Sequence, residues 1–359
     1  MRGQAGFWDV DERYVRLSEA GDPLEKLNAV VPWELFRKPL SKALKRSDGS
    51  KGGRPPYDTV MMFKVLVLQA LYSLSDDQAE FQIQDRLSFM RFLGLGLGDK
   101  VPDAKTIWLF REHLVQAGAV ENLFARFDRH LSKAGYLAMG GQIVDATVVA
   151  APRQRNTDDE KADIKAGKIP DVWKGKPAKL RQKDRDARWT VKFSKARVDD
   201  EGKEHKRDIA VPIFGYKSHA SIDQRHGFIR GWTVTNAAAY DGAQLRNVVK
   251  RPNTGSTVWA DTAYRSKKNE AWLDRNGFAS DIHQKKPKGR PMSEATARAN
   301  GRRSKIRSRI EHVFAQQKSR MGLFVRTIGI ARARTKIGIA NLVYNLNRFV
   351  WHERRTASA

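Results

Sequence analysis

There is no cysteine among the 359 residues, which excludes disulfides and thiolate-held zinc and fits a reducing compartment. No stretch approaches the roughly 20 consecutive apolar residues of a membrane span. The opening Met1-Arg2-Gly3-Gln4 lacks the apolar core of a secretory signal. The eight histidines include no His-x-x-x-His pair, so the imidazoles do not read as a zinc site. Acidic residues are scarce as well: 40 Asp and Glu face 67 Lys and Arg, for a formal charge of +27. A basic membrane-surface protein would also need an apolar face or a lipid signal. The positive field is therefore expected to meet nucleic acid, in the cytoplasm beside the nucleoid.

The shortage of acids is sharpest near the end. From Gln284 to Ala359 there are 19 Lys and Arg and three acidic side chains, Glu294, Glu311 and Glu353. Glu311 sits in an amphipathic pattern running from Ile306 to Lys318. At about 100° per residue, Arg307, Glu311 and Lys318 fall at roughly 0°, 40° and 20°, on one helix face. An intrahelical ion pair between Arg307 and Glu311 is the plain reading. A carboxylate placed to hold a metal against polyanionic DNA is the sharper one.

Upstream, residues 1 to about 56 form a mixed segment that ends in the solvated run Lys45 to Pro56, read as a linker. Asp58 can cap an apolar helix from Val60 to Tyr72, and Ser75-Asp76-Asp77-Gln78 is a capping box for the next. Pro102-Asp103 opens a third helix, and Glu121 to Ser132 forms a fourth. Residues 57–137 are thus expected to be an all-helical domain, able to bind DNA ends in the manner of a helix-turn-helix module. At Gly141 the character changes to the β-branched run Gln142 to Val149. Residues 152–207 hold 18 basic and 11 acidic side chains and read as a loop, an extended arm, or a segment disordered until it meets DNA, with Trp173 and Trp189 able to stack on exposed bases. Further strands are expected at Val211–Ile222 and Gly227–Thr235, joined by a turn at His226-Gly227, then at Thr257–Asp261 and Phe278–His283. Helices are expected from Asp241 toward Val249 and from Ser266 to Asn276. The pattern is that of an α/β layer fold with mixed strand directions.

Asp145 interrupts a run that belongs in a sheet interior, where an ionised carboxylate costs several kcal/mol unless a cation compensates it. Asp261 ends its strand, and strand ends are where α/β sheets gather ligands. With Glu311 they form a hard oxygen set suited to Mg²⁺ or Mn²⁺. If they converge, they could hold two ions about 4 Å apart for in-line phosphoryl displacement.

On these residues the chain resembles a bacterial insertion-sequence transposase of the DDE class, in the family named after insertion sequence five. The resemblance rests on Ile143-Val144-Asp145-Ala146-Thr147, on Trp259-Ala260-Asp261-Thr262-Ala263-Tyr264-Arg265-Ser266, and on Arg307, Glu311 and Lys318 at the family's spacing. The family's Tyr, three residues before Arg307, is Ser304 here. Gly215-Tyr216-Lys217, Tyr240-Asp241 and Tyr344-Asn345-Leu346-Asn347-Arg348 are further similar segments.

The resemblance implies a ribonuclease-H-like mixed-sheet catalytic domain at 138–350, carrying a polar basic insertion at about 152–207, with an N-terminal all-helical domain before it and a tail at 351–359. It implies catalytic and metal-holding roles for Asp145, Asp261 and Glu311, with DNA contacts from Arg307, Lys318, Tyr264, Arg265, Lys217, Lys285, Lys286 and Lys288. The expected reaction is metal-dependent phosphodiester hydrolysis at the element ends, then joining of the 3′ hydroxyls to target DNA. The expected partners are double-stranded DNA and further copies of the chain, as a homodimer or larger assembly. A metal-dependent nuclease without strand joining and a non-catalytic DNA-binding derivative are the alternatives.

Overall fold

The computed structural model describes residues 9–44, 56–194 and 209–357. The linker expected at 45–56 lies almost wholly outside the described residues. By contact the chain divides into two compact units, one made of residues 1–137, 315–322 and 338–359, the other of 138–314 and 323–337.

The first unit is helical. It begins with α1 (Asp9–Glu19), α2 (Pro23–Val30) and α3 (Arg37–Leu44). These are followed by α4 (Thr59–Tyr72), α5 (Asp76–Asp85), α6 (Leu87–Leu93), α7 (Ala104–Gln116) and α8 (Val120–Lys133). The caps act as the sequence predicts. Asp58 accepts from the amides of Val60 and Met61, and Ser75 and Gln78 form a reciprocal capping box. Asp103 accepts from Thr106 N. α4 is apolar nearly all round and is correspondingly buried, with Phe63, Val65, Val67 and Leu68 fully enclosed. Phe36 lies 4.9 Å from Phe63 between ring centroids, and Phe127 5.9 Å from Phe349. Among the described residues no single helix is long and apolar enough to cross a membrane.

The second unit is built on a six-stranded mixed sheet. β1 (Gln142–Ala150) is central, as its β-branched sequence and burial on both faces require. After it come α9 (Asp158–Lys165), α10 (Asp171–Lys174), α11 (Pro177–Gln182), β2 (Arg188–Ser194), β3 (Ile209–Asp223) and β4 (Ile229–Asn236). Then follow α12 (Leu245–Val248), β5 (Thr257–Trp259), α13 (Lys267–Arg275), β6 (Ala279–Ser280) and α14 (Glu294–Ala315). α15 (Ile330–Ala357) completes the chain, so the expected tail at 351–359 is helical through Ala357.

β1 pairs antiparallel with β3, from Gln142 opposite Asp223 to Ala150 opposite Gly215, and parallel with β5. β6 runs parallel to β5, while β4 and β2 both lie antiparallel to β3. Three antiparallel strands (β4, β3, β1) continued by two parallel ones (β5, β6) form the ribonuclease-H-like sheet. Gly141 admits the chain to β1 at a φ of +91°, where a Cβ would lie 2.5 Å from the Thr257 carbonyl oxygen. At the β3–β4 turn, buried Asp223 accepts from the amides of His226 and Phe228 and from Arg230 Nε.

The segment expected as a loop or disordered arm departs most from its sequence reading. Residues 157–182 carry three short helices around Trp173, which is fully buried. Glu160 accepts from Trp173 Nε1 at 2.6 Å, Lys179 Nζ at 3.0 Å and the Thr157 amide at 3.0 Å. Lys179 and Lys183 lie over the Trp173 ring at 5.6 and 5.5 Å. Trp173 therefore has no face left for a base. Trp189 on β2 remains 39 % exposed.

Candidate active site

Asp145 stands in the middle of β1. Its Oδ1 accepts from the following amide, Ala146 N, at 2.8 Å, and its Oδ2 accepts from Arg307 Nη1 at 2.7 Å. Only 15 % of its side chain is exposed. Loss of solvent pushes this carboxyl up to about 6, and the neighbouring charges of Asp261 and Glu311 raise it further, against the opposing pull of Arg307.

Asp261 follows β5 and caps the 3-10 turn Thr262–Tyr264, its Oδ1 accepting from Ala263 N at 2.8 Å. Glu311 lies on α14, with 55 % of its side chain exposed, and its Oε1 accepts from Arg307 Nη2 at 2.7 Å. One guanidinium therefore bridges the first and third carboxylates. α14 is fixed against the sheet by Arg303, whose Nε donates to Asp281 Oδ1 at 3.0 Å, and by Arg309, whose Nη1 donates to the Gln224 carbonyl at 2.6 Å. Ile310 and Val313 bury its inner face.

Among the described residues, no three His, Asp or Glu side chains are gathered closely enough to ligate an ion as they stand. The donor chemistry nonetheless fits a hard divalent cation. The most buried carboxylate, Asp145, is held up near 6 by loss of solvent, with the charges of Asp261 and Glu311 adding to the rise, and a cationic side chain already lies between Asp145 and Glu311.

The expected DNA-contacting residues fare differently. Lys285, Lys286 and Lys288 are exposed on the segment leading into α14. Arg265 is partly committed, its Nη1 donating to the Ile282 carbonyl at 2.7 Å. Lys217 is engaged by Asp241 Oδ1 at 2.8 Å and by the Ala239 carbonyl at 2.8 Å. The helix expected from Asp241 toward Val249 begins as a 3-10 turn, Asp241–Gln244, whose N-cap is Tyr240, and becomes α-helical only at Leu245–Val248.

Tyr264 contradicts its expected place on a DNA surface. It is fully buried in a cluster with Val144, Val258 and Leu273, because the 3-10 turn folds it back beneath Asp261. Its hydroxyl has no hydrogen-bond partner among the described residues. Burial, and then the charges of Asp145, Asp241 and Asp261, push its ionisation well above the usual range.

Lys318 lies in a π-helical turn, Gln316–Arg320. The regular 100° step stops at Ala315, so the shared face with Glu311 that a continuous α-helix would give does not extend to it. Ser304, at the family's Tyr position, has its Oγ 3.4 Å from His283 Nε2. Burial and the nearby charges of Arg307 and Arg303 lower the pKa of His283.

Sequence reasoning also missed the Arg303–Asp281 tie and the Lys217–Asp241 pair. The four-residue step from Arg303 to Arg307 was the available signal for the first, since it puts both on one side of α14. Lys217 and Asp241 offered no such signal, because their contact depends on the sheet register.

Two family models match the chain. The one described as Transposase domain (DUF772) covers residues 12–113, and the one described as Transposase DDE domain covers 137–346. A solved structure similar to the chain is the cryo-EM structure of piggyBac transposase synaptic complex with hairpin DNA. It is 13 % identical over 93 % of this chain and 74 % of that one, with a TM-score of 0.40.

Proposed function

Because this chain belongs to the DDE transposases of insertion sequences, we propose that it cuts the ends of its own element and joins them to target DNA through Asp145, Asp261 and Glu311. The observation that carries this reading is the bridging of Asp145 and Glu311 by Arg307, with Asp261 close enough to raise the Asp145 carboxyl. Carboxylates from β1, the end of β5 and α14 thereby act on one locus. Divalent-metal dependence goes with the family; here the ions are proposed to be two Mg²⁺ or Mn²⁺ held by these three residues, supplying charge neutralisation at the scissile phosphate.

The remaining work falls to this chain's own groups. Burial of Asp145 keeps bulk water from that side of the site. Arg307 holds Asp145 and Glu311 in register before DNA arrives and presents a planar donor fork to a phosphate once it does. Lys285, Lys286 and Lys288, exposed on the segment ahead of α14, hold flanking phosphates as point charges. The successive nucleophiles are water and the freed 3′ hydroxyl, so no covalent protein intermediate is required. Two or more copies of the chain are proposed to bring the two ends together.

The test uses duplex DNA bearing the element termini. Asp145→Asn, Asp261→Asn and Glu311→Gln should each abolish cleavage, by at least about a hundredfold, while DNA affinity stays the same or rises as negative charge is removed. Substantial cleavage by any one variant would remove that residue from the site. Cleavage without joining by the unaltered protein would reduce the reading to a nuclease.

A further inference from the structure

β2 and the first part of β3 leave the body of the sheet as a two-stranded ribbon. Residues 209–213 of β3 run past the ends of β1 and β4, and among the described residues they pair with β2 alone. Paired residues share a face. One face of the ribbon therefore carries Trp189 opposite Phe214, Val191 opposite Pro212 and Phe193 opposite Ala210, with no charged residue among them. The other face is mixed, with Thr190 and Lys192 opposite Ile213 and Val211. The apolar face is open to solvent, Val191 being 52 % and Phe193 67 % exposed. A two-stranded ribbon is at best marginally stable by itself. Strict alternation in Arg188-Trp189-Thr190-Val191-Lys192-Phe193-Ser194 is the pattern of a strand whose one face is covered.

At the base of the ribbon, Trp189 and Phe214 also line a hollow of about 580 Å³. Their rings lie 5.4 Å apart between centroids, and Ile164 and Ala187 extend the apolar wall. Lys161, Lys165 and Arg188 line the same hollow.

These features select an occupant. A phosphate backbone gains nothing from an uncharged apolar face. The segment joining the two strands, residues 195–208, offers only Ala196 and Val198 as apolar side chains, too little to cover two aromatic rings. A second copy of the chain fits on two counts. Trp189 and Phe193 stand at equal distances from Val191, so a twofold axis at Val191 puts each copy's Phe193 over the other's hollow. The joining segment, attached at the Phe193 end, contains Asp199-Asp200-Glu201, opposite in sign to the three cations that the same axis brings to that end. Six residues on a face fall short of the roughly 20–30 that each partner gives to a standard interface. The contact is therefore weak in free protein and closes when one DNA holds two copies together.

We infer that the apolar ribbon face is where two copies of this chain meet, stacked about a twofold axis at Val191 with each Phe193 seated in the other's hollow. The inference deepens the proposal that two or more copies act together, and it involves none of the three carboxylates.

Because the chain has no cysteine, single introduced thiols report on this contact without background. Each variant is mixed with duplex DNA bearing the element ends and treated with a bis-maleimide short enough to span sheets packed about 10 Å apart. Val191→Cys should cross-link to a dimer, whereas Lys192→Cys, on the opposite face, should stay monomeric. Phe193→Cys should cross-link to a differently tagged Trp189→Cys in preference to itself. On the same DNA, Phe193→Asp should weaken dimer formation in sedimentation by at least about tenfold, and Phe193→Leu, still apolar, should keep most of it.

Equal cross-linking of Val191→Cys and Lys192→Cys would mean random collision and overturns the inference. So does a Val191→Cys protein that never cross-links with DNA bound. If its thiol is then also protected from a monofunctional maleimide, the face belongs to the chain's own joining segment. Cross-linking of Phe193→Cys to itself rather than to Trp189→Cys rules out the proposed twofold. Cleavage retained by Asp145→Asn would sink the catalytic reading and leave the cross-link untouched, whereas full cleavage by a protein that never cross-links here sinks this inference alone.

Discussion

Arg307 joins two carboxylates that would otherwise repel each other, and Asp145 shows how incomplete that compensation is. Its carboxyl is held up to about 6 against an ordinary value of 3.8. A group whose pKa is raised on folding contributes its stability fully below the unfolded value, and that contribution is lost as pH rises through the folded one. Metal-free protein should therefore lose stability between about pH 4 and pH 7 on account of this residue. The shift corresponds to roughly 3 kcal/mol between the two limits. Asp145→Asn removes the titration, so in EDTA its Tm should match that of the unaltered protein near pH 4 and exceed it by several degrees at pH 8. Parallel Tm profiles for the two proteins across that range would show that the carboxyl does not carry the burial cost assigned to it. The three acidic residues themselves were legible in the sequence, because an Asp in a β-branched run and a lone Glu in a basic helix each break a local pattern. Their linkage through one guanidinium was not legible, since Arg307 reaches Asp145 across 162 positions of chain.

Capped elements were read nearly to the residue. Asp58, Ser75 and Asp103 each satisfy helix amides in the way their side chains advertise. β1, β3 and β4 announced themselves by β-branched runs bounded by turn residues. The insertion did not, because its core is one large ring, Trp173, with only small support from Ile164 and Ala187. One large ring closed in by a glutamate and two lysines leaves no periodic trace in a segment otherwise polar. Trp173→Ala should accordingly cost about 3–5 kcal/mol within that element, and exchange of the backbone amides in residues 158–182 should accelerate far more than that of β1. Glu160 gives a second handle: its hydrogen bonds with Trp173 and Lys179 hold it down near 2, well below the usual carboxylate range. Its stabilising contribution is present above about pH 4.5 and is lost as pH falls through 2. Glu160→Gln should weaken the insertion at neutral pH and leave it almost unchanged near pH 2. A local opening of Glu160→Gln that matched the unaltered protein at both pH values would remove this glutamate from the account. The break at Gln316 was likewise unreadable, since nothing in Gln-Gln-Lys-Ser-Arg distinguishes a π turn from a continuing α-helix.

Across the whole molecule, the change in sequence character near Gly141 lies close to where one compact unit gives way to the other. The return of residues 315–322 and 338–359 to the helical unit leaves no compositional mark, because α15 belongs to both units along its length. Charge, by contrast, is a property that composition states outright. An excess of 27 positive charges implies that much of the DNA affinity comes from counterion release, so log K should fall linearly and steeply with log salt, with a slope of about −0.9 for every phosphate neutralised. Lys285, Lys286 and Lys288 are exposed, and no hydrogen bond or ion pair among the described residues commits them. Replacing all three with alanine should lower the magnitude of that slope by up to about 2.7 and weaken element-end and unrelated DNA alike. Titrations of both DNAs over a range of salt concentrations separate this from base reading. A selective loss of element-end binding with the slope unchanged would mean that these lysines recognise sequence, and the division between a non-specific cationic track and a specific reader elsewhere would have to be reversed.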